Sequence, residues 1–256
     1  MAQGLPRTRL NSSSLVRALA DLAVADVPAS KQSFADRLGQ WLGFADALTL
    51  FSVINADKAA SDVLAAAPSA ESSAARQALA RVRAALVESI TTDGVIRPGR
   101  ARIELPTPDP QASIESAADF APYHRYYLAH QRDMSASIGP LRITVRTALS
   151  GQTPALGRLA ALDAVMEQAL AGRERDLLAT VPGLLGRRFD HLYKTHQLKL
   201  AEAQAADEPG RWMQPGGWLA GFCREMQSVL LAELDLRLQP VAGMIAALEN
   251  VATGKQ

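Results

Sequence analysis

The stretch that decides the fold reads FAPYHRYYLAHQRDMSASIGPLRITVRTALSG at residues 120–151 and QTPALGRLAALDAVMEQALAGRERDLLATVPGLLGRRFDHLYKTHQLKLAEAQAA at residues 152–206. Its apolar residues recur every three or four positions, which is typical of one face of an α-helix. The segment Ser150–Pro154 predicts a turn, so the two runs are expected to fold back as a helical hairpin. Gly139–Pro140 predicts a kink in the first run, and Pro182–Gly183 predicts a kink or a break in the second.

The composition of the whole chain also favours helices. Hydrophobic residues make up 48% of the 256 residues and aromatic residues only 5%, and alanine accounts for much of the hydrophobic share. Alanine together with leucine, arginine, glutamate and glutamine is typical of packed helices rather than sheets. We therefore predict an all-α fold, an irregular multi-helix bundle of about six to eight helices, several of them kinked at proline or glycine.

Shifts in composition along the chain predict its domain organisation. An N-terminal helical pair is predicted over residues 1–54, followed by a flexible connector, rich in alanine and serine, over residues 55–73. The main helical bundle is predicted over residues 74–256, interrupted by a Pro/Gly-rich loop at residues 94–112. The alternative is that the whole chain forms one domain.

The sequence also predicts the bounds of three helices outside the central stretch. The first is predicted from about Ser13 to Asp26. The second, from about Lys31 to Ile54, has an apolar face wide enough to pack on two neighbouring helices. The last runs from near Trp218 to Val251, is expected to bend or break at Pro240, and has a heptad-like spacing that is compatible with a homodimer.

Charge and hydropathy exclude several classes of protein. The 27 basic and 26 acidic residues give a formal net charge of +1, which provides no long-range attraction to nucleic acid or acidic membranes. No run of about 18 apolar residues occurs, so no segment is predicted to span a membrane. Asp21 and Asp26 interrupt the modestly apolar N-terminal run, which argues against a secretory signal. We therefore expect a cytoplasmic protein.

The residues that usually carry catalysis form no recognisable signature. The chain has no Gly-x-Ser-x-Gly elbow, no glycine-rich phosphate loop and no dinucleotide-binding fingerprint. The single cysteine, Cys223, excludes an intrachain disulfide and a cysteine-rich zinc site, and it is predicted to be a small buried residue on a helix. His191 and His196 are five residues apart, which places them on different faces of a helix. We therefore predict no catalytic residue, no cofactor and no metal ion, and a non-enzymatic protein.

One polar pocket is nevertheless conceivable in the central stretch. If the chain folds back at Gly151, His130 reaches the level of Arg173. If it also reverses at Pro182–Gly183, His191 returns to that level. The alternative function is therefore a ligand-binding or enzymatic helical domain with a polar pocket near His130, Arg173 and His191.

Aromatic residues in irregular contexts indicate a surface for protein partners. The candidates are Trp41, Phe44, Trp212 and Trp218, because tryptophan and other aromatic residues are frequent anchors of interfaces. Packing in the core is the simpler explanation of the same residues. The leading prediction is accordingly a helical interaction or scaffold protein that binds protein partners.

A third function, nucleic-acid binding through basic helix faces, would rest on two groups of basic residues. They are Arg97, Arg100 and Arg102 in the Pro/Gly-rich loop, and Arg187, Arg188, Lys194 and Lys199 in the sixth predicted helix. Around the first group there are no aromatic residues on which bases could stack, and Phe189 and Tyr193 beside the second are expected to pack inward. Nucleic acid is therefore not an expected partner.

Two segments resemble a known protein family. They read PRTRLNSSSLVRALADLAVADVPASKQSFADRLGQWLGFADALTL at residues 6–50 and RERDLLATVPGLLGRRFDHL at residues 173–192. The chain resembles, over nearly its whole length, a proteobacterial family described as domain of unknown function 3348. The resemblance implies a helical accessory of an envelope-linked assembly. It implies no catalytic residue or ligand.

Overall fold

A computed structural model describes residues 13–22, 34–55, 68–109, 111 and 113–252. Within these ranges the protein is all-α and contains no strand, which confirms the predicted fold class. The helices, in chain order, are α1 (Ser14–Asp21), α2 (Phe34–Trp41), α3 (Phe44–Asn55), α4 (Pro68–Thr91), α5 (Ile114–Ala117), α6 (Ala121–Ser150), α7 (Pro154–Leu178), α8 (Val181–Ala203) and α9 (Trp218–Ala252). A 3₁₀ turn, Pro209–Arg211, lies between the last two. Helix α5 is a single turn, and the other eight helices agree with the predicted number.

No helix in the described ranges is both long enough and apolar enough to cross a membrane.

The chain divides into two compact units, and neither is one continuous segment. Of the described residues, unit 1 contains 13–22, 34, 89–109, 111, 113–130 and 180–236. Unit 2 contains 35–55, 68–88, 131–179 and 237–252. Helices α2, α4, α6 and α9 contribute residues to both units.

Aromatic rings from three helices form the core of unit 1. The ring of Phe189 on α8 lies 5.6 Å from that of Tyr123 on α6 and 5.2 Å from that of Phe222 on α9. All three residues are buried. Beside them the hydroxyl of Tyr127 donates a 2.7 Å hydrogen bond to Glu233, which satisfies a fully buried carboxylate. These contacts hold α6, α8 and α9 together, and they confirm that Phe189 packs inward.

Asp93 organises the Pro/Gly-rich loop that follows α4 in unit 1. Its Oδ1 accepts hydrogen bonds from the backbone N–H groups of three successive residues, Val95, Ile96 and Arg97, at 2.7, 2.6 and 3.2 Å. Its Oδ2 accepts a hydrogen bond from Gln227 of α9. A buried carboxylate therefore supplies the partners that an irregular backbone lacks, and it also ties the loop to α9. No strand forms at Arg102–Leu105, as predicted.

Helix α1 attaches to α9 within unit 1. The side chain of Ser13 caps its first turn by accepting a 3.2 Å hydrogen bond from the N–H of Val16. Leu15 and Leu19 are buried on one face, and the hydroxyl of Ser14 donates to the carbonyl of Ala232. The described helix ends at Asp21, and the predicted end at Asp26 lies outside the described residues.

Unit 2 is built around the predicted hairpin of α6 and α7. The two helices turn at residues 151–153, and Thr153 caps α7 through its hydroxyl. Near the turn Arg142 of α6 donates two hydrogen bonds to Asp163 of α7, at 2.9 and 2.7 Å. Far from the turn Gln131 donates to the carbonyl of Leu178. Contacts at both ends show that α7 runs back along α6.

The ion pairs between α6 and α7 correct one expectation. Alternating charges such as Glu167 among the arginines of α7 predict a solvated helix face, yet Glu167 pairs with both Arg142 and Arg146 of α6. Arg146 also lies 3.5 Å from Asp163. These side chains are largely buried, so the four charges form a network that fixes the register of the two helices.

The predicted helix over residues 31–54 is wrong in one respect, because it is interrupted at Leu42 and Gly43. The N–H of Gly43 donates a 3.1 Å hydrogen bond to Asp46, so a new helix starts at Phe44 with its own side-chain cap. Glycine disfavours a helix interior, which explains why the break occurs at this point. Residues 31–33 lie outside the described residues.

The structure also corrects predicted helix boundaries near proline residues. Helix α4 begins at Pro68, so residues 68–73, predicted as part of the connector, are helical, because proline is well tolerated in the first turn. The rest of that connector after Asn55 lies outside the described residues.

The break predicted at Pro182–Gly183 falls at residues 179–180, and Pro182 lies in the first turn of α8. Neither Pro140 nor Pro240 breaks its helix.

We expect Asp93→Ala to lower the free energy of unfolding by about 3 kcal/mol, because three backbone N–H groups lose a charged acceptor. Urea denaturation measures this difference. The matched control is Asp119→Ala, which removes a carboxylate that accepts a single exposed backbone bond, from Ala121, and is expected to cost less than about 1 kcal/mol. Equal losses for the two variants would contradict the organising role of Asp93.

Candidate functional site

Helix α3 in unit 2 is apolar around much of its circumference, and only part of it is covered. Leu50 is buried, and the helix packs against α7. The adjoining part of the surface is exposed, and its large apolar residues are Phe44 (87% exposed), Leu48 (59%), Phe51 (66%) and Ile54 (64%). We call these four residues the α3 face. The sequence predicted that this helix packs on two neighbours, but in the described residues the second neighbour is missing.

The two N-terminal candidates for a partner surface have different environments. Trp41, at the end of α2, is half-buried, and the guanidinium of Arg173 on α7 lies 5.8 Å from its ring centroid. This cation–π contact attaches α2 to α7 within unit 2. Phe44 begins the α3 face and is the most exposed large apolar residue among those described.

The three residues of the conceivable polar pocket lie in separate surroundings. His130 is in unit 1 and is only 1% exposed, with its ring edge-on to Tyr126 at 4.6 Å. His191 is also in unit 1 but is exposed. Arg173 is in unit 2, against Trp41.

His130 is held in its neutral form. Burial, reinforced by the positive charge of Arg102, lowers the pKa of its imidazole from 6.5 to about 4. Its Nε2 atom is buried without a hydrogen-bond partner among the described residues. A buried, neutral and aromatic-packed imidazole is the arrangement of a core residue.

A cavity of about 480 Å³ lies in unit 1 between the second half of α8 and the start of α9. The loop of residues 204–217 closes one side. The cavity walls include His196 and Lys199 of α8, Asp207 and Trp212 of the loop, and Trp218 and Phe222 of α9. This volume lies within the range of small-molecule sites.

A carboxylate at the centre of this cavity links the loop to α8. Asp207 Oδ1 accepts a 2.7 Å hydrogen bond from the indole N–H of Trp212 and lies 2.9 Å from His196 Nε2. The ring of His196 is stacked 6.0 Å from that of Trp218, whose indole lies 5.2 Å from Trp212. The two C-terminal tryptophans that the sequence selected are therefore brought together. Trp212 is buried, so it supports the cavity wall rather than an open partner surface.

The turn before α9 requires glycine at one position. A Cβ atom on Gly217 would lie 2.2 Å from the carbonyl oxygen of Trp212, so only glycine allows the backbone to pass there. That carbonyl accepts a hydrogen bond from Ala220 in the first turn of α9. The close approach fixes Trp212 against the start of α9.

Sequence reasoning missed Asp207 and misjudged His196. The expected histidine sites were metal spacings within a helix and a pocket between helices, whereas His196 pairs with the loop that follows its own helix. The signal was Trp212 in a loop dense in proline and glycine, five residues after Asp207 and 16 after His196. The exposed Leu48 and Phe51 were also missed, because they were assigned to a packed face.

Neither the cysteine nor the acidic and histidine side chains form a reactive centre in the described residues. Cys223 is fully buried, as predicted, and burial raises the pKa of its thiol. Within the described ranges no three histidine, cysteine, aspartate or glutamate side chains cluster as metal ligands would.

The comparison with protein families gives one match. The family model described as "Protein of unknown function (DUF3348)" matches residues 1–250, which confirms the resemblance carried by residues 6–50 and 173–192. No curated protein and no solved structure matches the chain.

The buried imidazole predicts a pH dependence of stability. The folded pKa of His130, about 4, is lower than its ordinary value of 6.5, so the unfolded chain binds the proton first as the pH falls. The contribution of neutral His130 to the free energy of unfolding is fully present above pH 6.5. Between pH 6.5 and 4 the free energy of unfolding falls by about 3 kcal/mol because this contribution is lost.

His130→Leu is therefore expected to reduce the loss of stability between pH 7 and pH 4.5, measured by urea denaturation at both values. His191→Leu, at an exposed position, is the matched control and is expected to follow the wild-type pH dependence. An unchanged pH dependence in His130→Leu would show that the buried imidazole is not held neutral.

Proposed function

We propose that this protein, which belongs to the DUF3348 family, is a non-enzymatic helical interaction protein that self-associates through the α3 face. The single observation that carries the proposal is a helix that is apolar around much of its circumference and only partly covered. A helix that is hydrophobic all round is normally buried. The exposed side of α3 therefore supports a role in contact with a further apolar surface.

The size of the α3 face supports a specific contact. At roughly 180 Å² for a fully exposed large side chain, the four residues expose about 500 Å². This is at the upper end of the apolar patches found on monomeric proteins. If two copies pair face to face, these residues alone remove about 1,000 Å² from water, which is near the lower limit for a specific interface.

The chemistry of α3 selects an uncharged apolar partner. Asp46 is its only charged residue, and it caps the start of the helix. Helices that bind membrane surfaces carry lysine or arginine beside their apolar face, and nucleic-acid contacts need the same residues. Helix α3 has none. A second copy of the chain presents an uncharged apolar face of matching length, and two such faces form a self-complementary, isologous contact.

The final helix does not provide the dimer contact that its heptad-like spacing suggested. Its seam residues are all buried within the chain: Leu219, Phe222, Met226, Val229, Leu230, Leu234, Val241, Ile245 and Leu248. Helix α3 thus offers the larger uncovered apolar surface.

The basic residues of α8 give nucleic-acid binding no additional support. Arg188 donates two hydrogen bonds to Glu225 of α9, at 2.8 and 2.7 Å, so its charge is already paired. The link to an envelope assembly rests on the family resemblance alone and is not needed for the self-association proposed.

The variant Leu48→Arg tests the proposal by placing a charge at the centre of the α3 face. We expect the wild-type protein to sediment as a dimer at micromolar concentration. Burying an unpaired guanidinium costs roughly 3 kcal/mol or more, so the dissociation constant is expected to rise at least about a hundredfold. Sedimentation equilibrium measures both constants.

The matched control is Thr49→Arg. It adds the same charge one residue later, about 100° around the helix and away from the α3 face. This variant is expected to keep most of the wild-type affinity. A wild-type protein that remains monomeric at about 100 μM, or equal weakening by both variants, would exclude self-association through this face.

A further inference from the structure

Asp93 fastens both ends of the loop at residues 94–105 in unit 1. Its carboxylate accepts hydrogen bonds from the N–H groups of residues 95–97, where the loop begins. Its backbone carbonyl accepts a 3.1 Å hydrogen bond from the N–H of Leu105, where the loop ends, and the side chain of Leu105 is buried. The ends of the loop therefore meet at one residue, as in the compact surface loops that frequently have a function.

This loop concentrates the positive charge of the protein. Arg97, Arg100 and Arg102 are all exposed, and Glu104 is the single acidic residue of the loop, so residues 94–105 have a net charge of +2. We call residues 94–105 the arginine loop. Because the net charge of the whole chain is +1, the other residues together have a net charge of −1. The arginine loop is therefore a local positive patch on a protein with almost no net charge.

Two guanidinium groups of the arginine loop are available to a partner. Within the ranges that the structure describes, Arg97 and Arg100 form no ion pair and no side-chain hydrogen bond. By contrast, Arg188 and Arg211 elsewhere in unit 1 are each paired with a glutamate. An unpaired guanidinium has a planar set of donors that can bind an oxyanion through two parallel hydrogen bonds.

The residues of the arginine loop favour the carboxylates of a protein over the phosphates of nucleic acid or lipid. The loop has no aromatic residue on which a base could stack. Its three cations are fewer than the roughly four to eight that usually attach a protein to an acidic membrane. Val95 is 37% exposed and lies two residues before Arg97, so the loop also offers an apolar contact between its charges.

We propose that the arginine loop binds an acidic protein segment in which carboxylates flank an apolar residue. Arg97 and Arg100 pair with carboxylates of the segment, Arg102 adds a third positive charge, and Val95 contacts the apolar side chain. Arginine clusters recognise acidic motifs through such pairs. Because Asp93 already fixes the backbone, binding orders only the side chains and not the loop itself.

Fluorescence anisotropy with the full-length protein and three labelled peptides tests this proposal. The first peptide, Glu-Glu-Leu-Glu-Asp-Leu-Glu-Glu, has both carboxylates and leucines. The second replaces every acidic residue by its amide, and the third replaces both leucines by glycine. The first peptide is expected to bind at least about twentyfold more tightly than the second and about threefold more tightly than the third. Added salt is expected to weaken the first peptide, because it screens exposed charges.

Substitutions of exposed arginines link the binding to the loop. Arg100→Gln is expected to weaken the first peptide about fivefold, and the double variant Arg97→Gln/Arg100→Gln at least about twentyfold, because each lost pair removes about the same free energy. The matched control is Arg175→Gln, which removes one charge at an exposed position of α7 in unit 2. This control is expected to bind the first peptide as the wild type does.

Three results would overturn the assignment of the loop. They are absence of binding at about 1 mM of the first peptide, equal affinity for the first peptide and its amide form, and equal affinity in Arg100→Gln and Arg175→Gln. Tighter binding of duplex DNA or of phosphatidylserine vesicles than of the first peptide would overturn the choice of an acidic protein segment as the partner.

Leu48→Arg separates this proposal from self-association. The variant disrupts the α3 face in unit 2 and leaves the arginine loop in unit 1 unchanged, so it is expected to bind the first peptide with wild-type affinity. Loss of binding in Leu48→Arg would place the peptide on the α3 face and contradict the proposed role of the arginine loop.

Discussion

The packing of Phe189 against rings from two other helices is the contact on which unit 1 depends. Tyr123, Phe222 and Trp218 surround this side chain, so α6, α8 and α9 converge on a single ring of α8. The same contacts fix Trp218, and Trp218 forms the wall of the cavity beside His196. A rigid aromatic core therefore fixes Trp218, which packs against His196 in the cavity wall.

Unit 2 is held together differently, and it leaves apolar surface uncovered. Paired charges fix the α6–α7 hairpin, in which Arg142 and Arg146 share Asp163 and Glu167. Helix α3 packs on the outside of this hairpin through the side that contains Leu50. The adjoining α3 face has the composition of a core and the exposure of a surface. Two features of the described residues are thus open to solvent: the cavity in unit 1 and the α3 face in unit 2.

Periodicity predicted the helices well and their surroundings poorly. The hairpin at Gly151 and the burial of Phe189 and Cys223 follow directly from apolar spacing and turn residues. The spacing of apolar residues shows which side chains share a helix face, but it does not show whether a second helix covers that face. The α3 face was therefore mistaken for core. The break at Gly43 was missed because a glycine within a helical pattern is often tolerated. Asp93 and Asp207 bind loop residues, and loop conformation has no hydrophobic periodicity from which these contacts could be predicted.

Hydrogen–deuterium exchange at two protein concentrations is the most direct test of whether a second copy of the chain covers the α3 face. Exposed helices open locally, and contact with a partner protects their amides. If the protein self-associates through the α3 face, amide exchange of residues 44–55 becomes slower as the protein concentration rises from below to above the dimer dissociation constant. Amide exchange of α8 stays the same. Exchange of residues 44–55 that is independent of concentration up to about 100 μM would contradict it.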